Sequence, residues 1–463
     1  MVAVLIQVVC PQSVDHDQYD VGWRRLGRAR THGGHQEKQS QNLHPGTVGD
    51  NRHCCDFSRG WTRAFGRSTM SLNQLRLSLF QLERNERRCS KHLPGRPVLR
   101  VSRGVIAGLV AVLVPAVVFL AIIGSGYDGK PYLRGDCPYY VAAARSIAED
   151  GDLDLSNQLW QPWRAHNTNV ALDRQGRLVP KHPLLMSVAA LPLLLVFGDQ
   201  GALIFNFLQL LLLCGLMFVL ARRVAGPWAS AVAVCLTATL SFLPHFAWNF
   251  SPDVFVVVLF LGVLLTLPRD RTPHLGRHII AGILLGLATT TKPSFALAAI
   301  ALPLLLGKPL RRSLPAFVLG GLIPVALWMG LNQHLFNHPL VTPYDRIVHF
   351  TEAGIELHSN REDFTEPLWR GARDQIIRPG KGLLPTSPVT VVSFLLLPLL
   401  WFRERRWAVY TFVTSLAIFL FYSMYAQWVW SHWGNRFLMP VVVLGVLPLA
   451  AVFDWRRAGH EDS

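Results

Sequence analysis

The segment Lys181-His182-Pro183 followed by Leu-Leu-Met-Ser-Val-Ala-Ala-Leu-Pro-Leu-Leu-Leu-Val-Phe decides the topology of this chain, which is rich in apolar runs. The apolar run, Pro183–Phe197, has fifteen residues, contains Pro192 and ends at Gly198-Asp199. A helix that crosses the hydrocarbon core of a bilayer needs about 20 residues. Whether this short run spans or lies at the membrane surface determines the side on which every later loop falls.

Composition indicates an all-α integral membrane protein. Of 463 residues, 51% are hydrophobic and only 16% are charged, whereas about 25% are charged in soluble domains. Many apolar runs have the length of a membrane span. The net charge of +16 comes mostly from the N-terminal segment and short loops, which is typical of membrane topology and argues against nucleic-acid binding. The seven cysteines show neither zinc-like spacing nor a disulfide framework.

Positive charge in the loops favours a non-spanning 183–197 segment. If segment 183–197 spanned the membrane, every later Arg-rich loop would lie outside the cell, which contradicts the positive-inside rule. If it lies along or dips into the outer leaflet, five basic loops are cytoplasmic, namely those with Arg222-Arg223, Arg269/Arg271/Arg277, Lys308/Arg311/Arg312, Arg403/Arg405/Arg406 and Arg456-Arg457. The sequence then predicts about ten spans in a helical bundle: 105–123, 201–221, 227–248, 253–268, 278–290, 293–307, 314–335, 386–402, 407–426 and 437–453.

The predicted domain organisation has three parts. Residues 1–100 are polar and basic, and we expect them to be disordered; Met70 is an alternative translation start. Residues 101–455 form the transmembrane domain, with outer loops 125–182 and 336–385, the first carrying juxtamembrane helices. Residues 456–463 form a cytoplasmic tail. The 125–182 loop is assigned to the outside because Arg residues precede the first span.

On this topology the scattered polar clusters converge on the outer face, as a site at the membrane surface requires. They are Gly135–His182, Asn249–Asp253, Thr289–Lys292, the 336–385 loop and Gln427–Arg436.

Asp136 is the candidate catalytic residue, and it has two interpretations. A carboxylate positioned to take a proton from a hydroxyl contributes roughly 10²–10⁴-fold to a rate. An Asp before Cys137-Pro138 and a helix-like stretch is also a good helix N-cap.

Further on, Asp152 and Asp154 have a D-x-D spacing that could bind a divalent cation such as Mg²⁺ or Mn²⁺ with a phosphate. The same residues also fit a solvated turn.

Candidate substrate-binding residues accompany Asp136 on the same face. Tyr139 and Tyr140 suit sugar faces, although aromatic residues are common at membrane interfaces. Lys181, His182 and Lys292 could meet an anion, or the lysines could simply snorkel to water. Asp253 could cap a helix or hold a basic group, and Arg436 offers a planar fork that matches phosphate oxygens.

Together these residues resemble the GT-C superfamily of membrane glycosyltransferases, in the branch with protein O-mannosyltransferases and the aminoarabinose transferase. The resemblance covers about residues 105–453. Its motifs are Gly135-Asp136 with Tyr139-Tyr140, Lys181-His182-Pro183, Pro252-Asp253, Thr291-Lys292-Pro293, Gly380-Lys381-Gly382-Leu383-Leu384 with Ser387-Pro388, and Gly434-Asn435-Arg436-Phe437-Leu438-Met439-Pro440. In some relatives Glu follows the Asp where this chain has Cys137.

The resemblance implies transfer of a sugar from a polyprenyl-phosphate donor to an acceptor hydroxyl of a glycan, lipid or protein, with inversion, outside a bacterial-type plasma membrane. It implies that Asp136 is the base and that Lys292 and Arg436, with Lys181 or His182, meet the phosphate charge. The alternatives are a transporter or lipid flippase, and a non-catalytic scaffold. The span interiors are nearly free of charge and show no internal repeat, which favours the transferase over a transporter.

Overall fold

The computed structural model describes residues 102–126, 136–159, 169–268, 274–306, 309–351, 354–430 and 434–454. Gly135 and the segments 1–100 and 456–463, with the disorder and the tail predicted for them, lie outside the described residues.

Helices dominate the described chain, as the apolar runs predict. In chain order they are α1 (Arg103–Gly126), α2 (Cys137–Arg145), α3 (Leu185–Phe197), α4 (Gln200–Ala221), α5 (Pro227–Thr239), α6 (Pro252–Thr266), α7 (Leu275–Thr291), α8 (Leu310–Phe336), α9 (Leu368–Ile377), α10 (Leu383–Thr386), α11 (Pro388–Leu395), α12 (Leu397–Arg403), α13 (Arg405–Ser423), α14 (Met439–Leu444) and α15 (Val446–Phe453). Short 3-10 turns join several of them, among them Leu243–Trp248, Pro293–Ala299, Pro343–Asp345, Asn360–Asp363 and Arg436–Leu438.

Within the described residues, four helical segments have the length and composition of a membrane span: α1, α4, α8 and Arg436–Phe453. Other predicted spans are divided. The run 227–248 ends as an α-helix at Thr239, and 386–402 breaks between α11 and α12, where Pro398 cannot continue the backbone hydrogen bonding of α11. At 13 residues and about 1.5 Å per residue, α3 is shorter than the ~30 Å core. The count of about ten spans stays a prediction.

A small antiparallel sheet corrects the all-α prediction. Its strands β1 (Val170–Leu172), β2 (Leu178–Pro180), β3 (Ile347–Thr351) and β4 (Gly354–His358) are ordered β2-β1-β3-β4. The bridge Ala171↔Ile347 joins the two loops that were predicted to lie outside the membrane. Strands this short leave no clear periodicity, and their pairing is distant in sequence, so the sequence pattern does not reveal them. The sheet fixes the chain that leads into Lys181-His182.

Glycines let α7 and α8 pack with their backbones in contact. A Cβ at Gly282 would overlap the carbonyl oxygen of Phe317, and a Cβ at Gly320 would overlap that of Ile279. Small residues at helix contacts allow this close approach in membrane bundles. The packing fixes the direction of α7, whose last residue, Thr291, precedes Lys292.

Replacing Gly320 by Ala should therefore destabilise the fold by about 1–3 kcal/mol, the usual cost of overpacking. Gly330 lies on the same helix with open space around its Cβ position, so Gly330→Ala is the matched control and should be neutral or slightly stabilising. Thermal unfolding in detergent measures both variants. Equal midpoints for the two variants would contradict the close α7–α8 contact.

Candidate active site

Five side chains from separate segments meet at one end of the helices, and we call them the charged cluster: Asp136, His182, Asp253, Lys292 and Arg436. Arg436 Nη2 donates to Asp136 Oδ2 at 3.1 Å. Lys292 Nζ donates to Asp253 Oδ1 at 2.6 Å, and Arg436 Nε lies 3.9 Å from Asp253 Oδ2. The two carboxylates are therefore joined through Arg436, which contacts one and approaches the other.

Helix capping does not account for either carboxylate. Asp136 occupies the N-cap position of α2, but its backbone is helical (φ −79°, ψ −15°) and its side chain makes no capping hydrogen bond. Asp253 lies in the first turn of α6 and accepts hydrogen bonds from Lys292 and from Ser251 Oγ. Of the two interpretations of Asp253, the structure shows the one in which it holds a basic group.

Aromatic rings enclose the charged cluster. The ring of Tyr140 packs on His182 with centroids 5.0 Å apart, and Tyr344 meets the same imidazole edge-on at 6.1 Å. On the other side, Lys292 Nζ lies 4.4 Å from the centroid of Phe437. These rings reduce the access of water, although the side chains of Arg436 and Asp136 stay 27% and 18% exposed, and lower water access strengthens the electrostatic interactions inside the cluster.

Burial and neighbouring charges set the protonation states of Asp136 and His182. Burial alone would raise the pKa of Asp136, but Arg436, with His182 and Lys181, outweighs it and holds that pKa well below its usual range. Burial lowers the pKa of His182 to about 4, although the charge of Asp136 opposes the shift. At neutral pH the imidazole is therefore uncharged, so Arg436 is the main partner that keeps Asp136 ionised.

His182 has an unsatisfied atom at this site. Its Nε2 is buried, lies 3.8 Å from Asp136 Oδ1, and makes no hydrogen bond within the described structure. Arg436 Nε is likewise buried without a hydrogen bond to the described residues. Both atoms are therefore available for a contact beyond the described residues.

A cavity of about 260 Å³ lies beside the cluster and is almost wholly apolar. It opens between α3, the end of α7 and the second half of α8. Its lining comprises Leu153, Pro180, Lys181, His182, Pro183, Leu184, Leu185, Val188, Thr290, Thr291, Pro293, Trp328, Leu331, Asn332, Leu335, Pro343 and Tyr344. His182, a member of the charged cluster, and Tyr344, which packs against His182, thus also line the cavity.

The remaining predicted site residues lie outside the cluster. Lys181 borders the cavity and its charge acts on Asp136. Tyr139 instead packs against an apolar group that includes Ala143, Leu155 and Val170, so its neighbour Tyr140 is the tyrosine that the structure places at the site.

Asp152 and Asp154 form a local turn. Asp152 Oδ1 accepts from Ser146 Oγ and from the Asp154 backbone N–H, and Asp154 Oδ1 accepts from Ser156. In the part of the chain that the structure describes, no group of three His, Cys, Asp or Glu side chains is arranged to hold a metal ion.

Three residues near the site were missed by sequence reasoning: Tyr344, Tyr425 and Asp363. The charges of Asp136 and Arg436 act on Tyr344 and Tyr425, and that of Asp363 acts on Tyr425. Asp363 Oδ1 accepts from Gln427 Nε2 at 3.0 Å and lies 3.4 Å from His358 Nε2. Tyr344 follows Pro343 within a capping box, a turn signal that the sequence carries but that gives no function.

The structure thus defines a charged cluster at the ends of apolar helices, beside an apolar cavity. Residues 181–329, about a third of the chain, match the family model described as dolichyl-phosphate-mannose-protein mannosyltransferase. Over these residues the match confirms the predicted resemblance to the protein mannosyltransferases. A comparison with curated proteins finds no match.

Among solved structures, the chain is similar to ArnT from Cupriavidus metallidurans in the apo state, with 17% identity and a TM-score of 0.45. It is also similar to ArnT bound to undecaprenyl phosphate, with 17% identity and a TM-score of 0.43. These likenesses cover 74% and 75% of this chain and 59% and 61% of the ArnT chain. The chain thus spans about three fifths of the length of these two structures.

The low pKa of His182 predicts a pH dependence of stability. Between pH 6.5 and about 4 the unfolded chain binds a proton at this residue and the folded chain does not, so stability falls as the pH falls through this window. At pH 5.5 the loss is about 1 kcal/mol relative to pH 7.5. His182→Gln should remove this part of the dependence when unfolding midpoints are compared at the two pH values.

The control is His334→Gln, on an exposed part of α8, which should keep the wild-type dependence. If His182→Gln shows the same loss of stability on acidification as the wild type, the imidazole is not buried in neutral form.

Proposed function

We propose that this protein transfers a sugar from a polyprenyl-phosphate donor to an acceptor hydroxyl at the outer face of the membrane, with inversion at the anomeric carbon. The observation that carries the proposal is the shared Arg436, paired with one carboxylate and close to a second, beside an apolar cavity. A lipid phosphate needs a cation at the membrane surface and an apolar place for its chain. The family model, named for a dolichyl-phosphate sugar, supports this donor class.

Arg436 and Lys292 are the proposed partners of the donor phosphate. Arg436 has a buried Nε that makes no hydrogen bond to the described residues, and a guanidinium binds phosphate oxygens through two parallel bonds. In the transition state the C–O bond to the phosphate breaks and its electron pair stays on the phosphate oxygen. Preorganised cations near that oxygen stabilise the developing charge. Lys181 and His182, which border the cavity, are placed to assist.

Asp136 is the proposed general base. It takes the proton of the acceptor hydroxyl while the hydroxyl oxygen attacks the anomeric carbon from the face opposite the phosphate. One displacement of this kind inverts the configuration. An ionised carboxylate with a strongly lowered pKa is a weak base, however, because catalytic efficiency is greatest when the pKa lies near the working pH.

Donor binding offers a way to strengthen this base. Arg436 is the main cause of the low pKa of Asp136 at neutral pH. A phosphate that draws the guanidinium away weakens the ion pair, and the pKa of Asp136 rises. The carboxylate would then become a better base only when the donor is in place, which discourages reaction with an incomplete site.

Tyr344 and Tyr425 provide a second polar surface for the substrates. Neither hydroxyl makes a hydrogen bond to the described residues, and burial, the largest cause, raises the pKa of Tyr344 well above its usual value. The Tyr344 hydroxyl therefore remains protonated and able to donate. The rings and hydroxyls suit a sugar, whose faces are apolar and whose edges carry hydroxyl groups.

Asp136→Asn should reduce transfer at least 10²-fold while the protein still folds, because the amide keeps the shape of the side chain but cannot accept a proton. Turnover of radiolabelled polyprenyl-phosphate sugar measures the effect. The matched control is Asp199→Asn, which also removes a carboxylate paired with an Arg, Arg145, but outside the cluster, and should retain activity. Retained transfer by Asp136→Asn would exclude this residue as the base.

Arg436→Gln should weaken binding of polyprenyl phosphate by at least tenfold, because a charge-assisted hydrogen bond of about 1.5–3 kcal/mol is lost. Binding is measured with purified protein in detergent. The control Arg145→Gln removes a guanidinium outside the cluster and should leave the affinity unchanged. If both variants bind equally well, the phosphate lies elsewhere. Movement of the labelled donor across vesicles without transfer would favour a flippase.

A further inference from the structure

Helix α9 (Leu368–Ile377) exposes large apolar side chains although it is polar overall. Trp369 is 70% exposed, Ile377 52%, Leu368 44% and Ile376 40%. Gly371 and Gln375 are buried, on the side of the helix that also carries Leu368. A short helix that leaves several large apolar side chains uncovered is typical of a segment that lies in a membrane interface.

The surroundings of α9 place it at the level where spans end. A Cβ at Gly371 would overlap the carbonyl oxygen of Ser423, the last residue of α13. Just before α9, the backbone N–H of Glu366 donates to the carbonyl of Met424 at 3.1 Å. Glycine at 371 thus allows the helix to lie directly on the end of α13.

The chain after α9 continues into apolar helices with exposed side chains. Leu384 in α10 is 50% exposed, and Val392 and Leu395 in α11 are exposed as well. Val392 and Leu395 belong to the predicted span 386–402, and Leu384 lies just before it, so these exposed side chains fit a lipid-facing surface. The exposed apolar face of α9 therefore borders a lipid-facing surface of the same chain.

The two arginines of α9 suit a phosphate layer, and they also have acidic neighbours: Arg373 pairs with Asp374 at 2.9 Å, and Arg370 lies 3.9 Å from Glu366. The side chains of Arg370 and Arg373 are 59% and 56% exposed, and the guanidinium of Arg373 lies 5.9 Å from the Trp369 ring centroid. Trp is enriched at the headgroup level of membranes, and Arg binds phosphate oxygens through its planar fork. Trp and Arg are therefore both suited to contact with phospholipid headgroups.

We propose that α9 docks on the phospholipid headgroup layer through Trp369, Ile376 and Ile377, and that its buried face uses this support to position Arg436. The partner is the phosphodiester surface of the bilayer itself. A protein partner would fit the apolar face alone, but lipid contact also accounts for the arginines and for the continuity with α10 and α11.

Gln375 is the positioning residue that connects the two faces. Its side chain is fully buried. Its Nε2 donates to Ser423 Oγ at 3.1 Å, and its Oε1 accepts from Asn435 Nδ2 at 3.3 Å. Asn435 in turn accepts from the Phe437 backbone N–H at 3.1 Å, which fixes the turn that begins with Arg436. One amide thereby links α9, α13 and the residue before Arg436.

Depth-dependent quenching tests the docking, and it does not depend on the proposed transfer reaction. The full-length protein is placed in phosphatidylcholine vesicles, and the emission of Trp369 is obtained as the difference between wild type and Trp369→Phe. We expect quenching by lipids brominated near the headgroup and weak quenching by aqueous acrylamide. Quenching by acrylamide alone would show a helix in water. Protection from both quenchers would show a protein contact, and either result would overturn the proposal.

The arginines are tested in the same vesicles. Arg370→Gln with Arg373→Gln should reduce quenching of Trp369 by headgroup-brominated lipid about twofold or more, whereas Arg311→Gln with Arg312→Gln, at the start of α8, should leave it unchanged. Replacing part of the phosphatidylcholine by phosphatidylglycerol distinguishes the lipid source, since a larger effect there assigns the contact to anionic headgroups. Equal quenching in both double variants would overturn the role of the arginines.

The positioning role rests on the proposed function and has a separate readout. Gln375→Leu should weaken polyprenyl-phosphate binding about tenfold, and Gln375→Glu, which still accepts from Asn435, should recover most of the affinity. Unfolding midpoints are measured for both variants. A lower unfolding midpoint with unchanged affinity for polyprenyl phosphate would show that Gln375 has a purely structural role. That result would overturn its proposed role in positioning Arg436. The quenching of Trp369 is measured independently of polyprenyl-phosphate binding. A failure of the docking proposal can therefore be told apart from a failure of the proposed function.

Discussion

The ion pair between Arg436 and Asp136 is the interaction on which the site depends, because it joins residues 300 positions apart at the ends of two helical segments. The pair is partly buried, so removing one partner leaves the other charge incompletely compensated. In the proposed function, the phosphate of the lipid donor is the anion that takes the place of Asp136 beside Arg436.

Charge balance in the cluster is the basis of the proposed connection between donor binding and the base strength of Asp136. Two carboxylates face two permanent cations, and the neutral His182 adds no charge at physiological pH. An incoming phosphate makes the cluster more negative and competes with the carboxylates for the cations. The carboxylate that gives up its partner becomes easier to protonate. Asp253 keeps Lys292 at 2.6 Å, so Asp136 is the one more readily released.

The sequence predicted the helical class and most residues of the cluster, because membrane spans and charges at their ends leave strong local patterns. His182, Lys292 and Arg436 each lie next to an apolar segment, and their common face follows from counting spans. The antiparallel sheet and the packing of Tyr139 away from the site depend on contacts between distant segments. Periodicity carries no information about such contacts. Gln375 was missed because nothing in its local sequence signals a buried amide bridge.

The most direct measurement is a structure of the protein with polyprenyl phosphate bound. We expect phosphate oxygens within hydrogen-bond distance of Arg436 and Lys292, the prenyl chain in the apolar cavity, and an Arg436–Asp136 distance longer than the 3.1 Å of the free protein. A phosphate bound elsewhere, with the Arg436–Asp136 pair intact, would contradict the proposed donor site.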